Sequence, residues 1–111
     1  MDLAKVAQDI YHAHKLKSLV ITLSKKGIMC VLPQGTYLAK APLQKPLNAA
    51  GAGDAVSSML AWRFTQGDDW ESAMRWASAV SAASVLTERT GDVNQEDIDR
   101  LYPQINFNKL N

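Results

Sequence analysis

Ser18-Leu19-Val20-Ile21-Thr22-Leu23, Ile28-Met29-Cys30-Val31-Leu32 and Thr36-Tyr37-Leu38-Ala39-Lys40 follow one another at short range, and their reading decides the fold. Each run is short and apolar or β-branched, the composition of a strand. Ser24-Lys25-Lys26-Gly27 and Pro33-Gln34-Gly35 separate them as tight turns. Connections this short leave no room for a crossover, so neighbouring strands pair antiparallel. The first run is apolar on both faces, which predicts a central strand in a sheet covered on both sides.

Upstream, Leu3, Val6, Ile10 and Tyr11 recur at mostly three- and four-residue spacing between Leu3 and Lys15, with Lys5, Gln8 and Asp9 off the stripe. That period predicts an amphipathic helix with Asp2 as its N-cap. Downstream, Pro42 and Pro46 each remove a backbone donor, so residues 41–47 read as an extended connector. A helix follows with Ala55, Val56, Met59, Leu60 and Phe64 on its apolar face, stopped by Gln66-Gly67. Asp68 or Asp69 caps the next, which carries Ala73, Met74, Trp76, Ala77, Val80, Ala83 and Ser84 and runs to about Thr87. Arg89-Thr90-Gly91-Asp92 makes a turn. A last helix starts at Asn94-Gln95-Glu96-Asp97, turns Ile98 and Leu101 inward and ends near Pro103. The expected class is α/β: a small mixed sheet, one parallel-type strand plus an antiparallel hairpin, with covering helices.

The chain has 111 residues, 47% of them hydrophobic, enough for one domain over residues 1–111 and too few for two. Twelve Lys and Arg against 11 Asp and Glu give a net charge of +1, which supplies no basic surface for nucleic acid or anionic lipid. No apolar run reaches membrane-spanning length. A single cysteine, Cys30, forms no internal disulfide, which points to a reducing compartment and a cytoplasmic protein.

Gly51-Ala52-Gly53-Asp54 is the segment suited to chemistry. Glycines at a helix start let the backbone approach an anion, and the free amides and dipole of the first turn favour negative charge. A carboxylate beside such a cradle is what phosphoryl transfer to a hydroxyl requires. Spacing alone equally allows a plain tight turn with Asp54 capping the helix. Other phosphate motifs fit worse. Val56 stands where a dinucleotide fingerprint needs its third glycine, and Gly53-Asp54-Ala55 stands where a Walker loop ends in Gly-Lys-Ser/Thr.

Asn48-Ala49-Ala50-Gly51-Ala52-Gly53-Asp54 resembles the C-terminal signature of the PfkB/ribokinase family of sugar kinases, Asp/Asn-Thr-x-Gly-Ala-Gly-Asp. The surrounding helix, strand, hairpin, connector and two helices follow the same order, and the chain is most similar to the 1-phosphofructokinase and tagatose-6-phosphate kinase branch. The resemblance implies the C-terminal part of a ribokinase-like three-layer α/β/α fold and ATP-dependent phosphorylation of a sugar or sugar phosphate. It implies Asp54 as catalytic base, and Gly51, Ala52 and Gly53 as the anion hole. Thr22, Ser24 and Gly27 match the strand-end segment that touches ATP, and Ser78 and Ala83 lie on the helix that borders adenine. ATP and Mg2+ are the implied cofactors.

Ala49 replaces the usual hydroxyl residue, Ser24 the first glycine of the ATP turn, and Asn48 an aspartate at a monovalent-cation site. Sugar-binding, lid and magnesium motifs lie upstream in the family and have no match here. The chain therefore reads as the nucleotide side of a kinase, expected to be inactive alone and to expose a sheet edge that favours self-association. The alternative is a non-catalytic nucleotide-binding or assembly module.

The remaining candidates have plainer explanations. His12 and His14 point to different helix faces and do not share a metal. Lys25 and Lys26 suit a solvated turn, and Trp62, Trp70 and Trp76, without a basic stripe, suit core or partner contacts. Cys30 reads as a small buried hydrophobe.

Overall fold

The computed structural model describes residues 2–23, 26–42, 52–84, 86 and 94–110. The elements run α1 (Leu3–Ala13), β1 (Leu19–Thr22), β2 (Ile28–Leu32), β3 (Gly35–Lys40), α2 (Ala52–Thr65), α3 (Trp70–Ser84), α4 (Gln95–Leu101), a 3-10 turn (Tyr102–Gln104) and β4 (Asn106–Lys109). The expected connector from residue 43 onward and the turn at Arg89–Asp92 lie outside the described residues.

Helix α1 starts as its sequence predicts, with the Asp2 carboxylate accepting the Lys5 amide at 3.2 Å. It ends at Ala13, two residues before the expected limit, because Lys15 takes a left-handed conformation with φ 52° and the Leu16 amide returns to the Tyr11 carbonyl. At α3, Asp69 is the cap: its carboxylate accepts the Ser72 amide at 2.8 Å. Asn94 does the same for α4, and there Ile98 and Leu101 are buried as expected.

The strands form one sheet in the order β1-β2-β3-β4, antiparallel at every described pairing. The α/β class stands, but the mixed sheet is corrected. Among the described residues β1 pairs only with β2, and Leu19, Val20 and Ile21 are half-buried. The strand enclosed on both faces is β2, all five of whose residues are buried. An apolar run reports how greasy a strand is and carries no information about its neighbours, which is why the two strands exchange places.

Strand alternation splits the core in two. Ile28, Cys30, Leu32 and Ala39 face α2, α3 and α4, packing with Val56, Leu60, Met74, Ala77 and Leu101. Met29 and Val31 face α1, meeting Ala7 with Leu19, Ile21 and Leu38 around them. The result is three layers, with one helix below the sheet and three above. Met74 and Leu101 are fully enclosed, and burying a side chain of that size contributes about 1.5–3 kcal/mol. Under α1 the Gln8 amide donates to the buried Thr36 hydroxyl at 2.9 Å.

Strand β4 has no counterpart in the sequence reading. It pairs Phe107 with Ala39 and Lys109 with Tyr37, and the Phe107 and Tyr37 rings stack at 5.2 Å. Phe64, expected on the apolar face of α2, is 38% exposed and meets the edge of Trp70. Eight residues at about 100° each rotate it roughly 80° from Val56, off the buried stripe.

Candidate functional site

The site is organised by the beginning of α2. This helix opens at Ala52, so Ala52, Gly53 and Asp54 form its first turn, where the sequence reading placed both glycines ahead of the helix. Amides of a first turn have no partner within the helix, and the dipole makes that end partly positive. Asp54 is therefore the third residue of a 14-residue helix. Gly51 and Ser24 lie outside the described residues.

Thr22 closes β1 and is exposed. It pairs with Ile28, whose side chain belongs to the core cluster containing Val56 and Leu60 of α2. Alternation therefore puts Thr22 on the sheet face that α2 and α3 cover. Beyond it the chain turns tightly: the Leu23 amide donates to the Gly27 carbonyl at 2.8 Å and the Lys26 amide to the Leu23 carbonyl at 3.1 Å. Gly27 has φ +108°, and a Cβ there would run into the carbonyl oxygen of Ala39. Only glycine combines that backbone angle with so close an approach.

Ser78 and Ala83 lie on α3, which packs against α2, and are 4% and 0% exposed. Five residues apart, they stand about 140° from each other around the helix axis. Thr22 and Gly27 thus share one end of the β1–β2 hairpin, while Ser78 and Ala83 lie inside the helix layer on the same side of the sheet.

Of the other candidates, His12 is exposed and meets the edge of Tyr11, and Lys26 is exposed. Among the described residues no three His, Cys, Asp or Glu gather as metal ligands. No described helix is long and apolar enough to cross a membrane. Cys30 is fully buried in β2, and desolvation pushes its thiol up to about 11 against a smaller opposing effect of the Tyr37 backbone hydrogen bond.

One polar cluster escaped the sequence reading. Arg63 makes two bonds to the Asp68 carboxylate, at 2.7 and 2.8 Å. Its guanidinium lies 4.9 Å from the Trp62 ring and 5.1 Å from that of Trp76. The pairing, led by the hydrogen bond, holds Asp68 below the usual carboxylate range. It ties the end of α2 to the turn before α3. The only signal in the sequence is an arginine five residues before an acid across Gly67.

The same architecture occurs in phosphofructokinase-2 from Escherichia coli, solved in complex with potassium. The two superpose with a TM-score of 0.81 at 24% identity, over 92% of this chain and 33% of that one. The pfkB family carbohydrate kinase pattern matches residues 1–97, and the chain belongs to that family. Among its relatives are the bifunctional protein HldE of Nitrobacter winogradskyi, 34% identical over 88% of this chain and 20% of that protein. The 1-phosphofructokinase of Vibrio cholerae is 29% identical over 86% of this chain and 30% of that protein. The chain thus spans less than a third of either relative.

Proposed function

We propose that this chain is the nucleotide side of an ATP-dependent kinase that phosphorylates a hydroxyl of a sugar or sugar phosphate. The observation that carries the reading is that α2 opens on Ala52-Gly53-Asp54 in a chain of a carbohydrate-kinase family. The residues suit an anion: the first turn offers unpartnered amides, and its first two positions carry only a methyl group and a hydrogen. Ala52 and Gly53, with Gly51 before them in sequence, serve as the anion hole for the phosphoryl oxygens, where negative charge is stabilised as it develops. Asp54, one position further into the helix, accepts the proton of the acceptor hydroxyl at its carboxylate. ATP supplies the phosphoryl group, and Mg2+ accompanying it offsets the phosphate charge.

Thr22 and Gly27 flank the nucleotide-facing turn, kept close to the sheet by Gly27, and Ser24 of the same segment is assigned to ATP by the family likeness alone. Ser78 and Ala83 enter as small residues that let α3 lie close to α2 on the nucleotide side.

Thermal unfolding of the natural gene product that contains this segment tests the reading. Mg-ATP is expected to raise the midpoint saturably, since a ligand at a hundred times its Kd adds about 2.7 kcal/mol. A phosphosugar panel is then added and ADP formation followed. A sugar-dependent shift with turnover supports the kinase. ATP stabilisation with neither supports a nucleotide-binding module, and no response to ATP contradicts both.

A further inference from the structure

We draw no further inference here: the strongest candidate, the aromatic surface at the far end of α2 where Trp62 is 51% exposed and Arg63 lies between the Trp62 and Trp76 rings, carries nothing because nothing in the structure shows what covers it.

Discussion

Replacing Gly27 with alanine adds two separable costs together. The first is backbone strain: φ +108° lies where an L-residue pays about 1–3 kcal/mol. The second is collision, because the new methyl group meets the Ala39 carbonyl oxygen. That carbonyl cannot retreat, since Ala39 is fully buried and paired with Ile28 on one side and Phe107 on the other. Overpacking of this kind adds about 1–3 kcal/mol. Gly67→Ala is the internal control: Gly67 has φ +85° but nothing within 4 Å of its would-be Cβ, so it pays strain alone. The expected totals are roughly 4 kcal/mol for Gly27→Ala and about 1–2 kcal/mol for Gly67→Ala. In a domain of this size the first lowers the melting midpoint by on the order of 10 °C or more. Urea unfolding followed by tryptophan fluorescence and circular dichroism measures both. Equal losses in the two variants would refute the collision argument.

Two further outcomes follow from local geometry. Lys15→Gly relieves a left-handed residue at the exposed end of α1 and is expected to stabilise by about 1 kcal/mol in the same unfolding assay. Cys30 titrates near 11 in the fold and lower when unfolded, so the folded chain holds the proton longer. Its contribution is fully present below about pH 9 and is lost as pH rises toward 11, which an alkaline unfolding series on wild type and Cys30→Ala would show. Stability independent of Cys30 over that window would contradict the assignment.

Elements with local signals were legible. The Asp2 and Asn94 caps and the inward turn of Ile98 and Leu101 follow from side chains close in sequence. Relations between distant segments were not. Strand β4 holds one large apolar residue, Phe107, between asparagines, and only the ladder to Tyr37 and Ala39 makes it a strand. The order β1-β2-β3-β4 likewise depends on neighbours, so the two-faced run at 19–22 looked central although it borders only β2 among the described residues. Phe64 departs for a third reason: helical drift accumulates over two turns, and three- and four-residue spacing absorbs it. At the site, the exact start of α2 was not legible, because Gly53 is as compatible with a first turn as with the loop before it.

The most direct test of the account is Asp54→Asn, assayed for phosphoryl transfer and ATP affinity in the natural gene product that contains this segment. The amide keeps the shape of the carboxylate but cannot accept the proton of the acceptor hydroxyl. The expected result is a fall in turnover of about 10²–10⁴-fold or more, with ATP affinity retained. Wild-type turnover in that variant would contradict it.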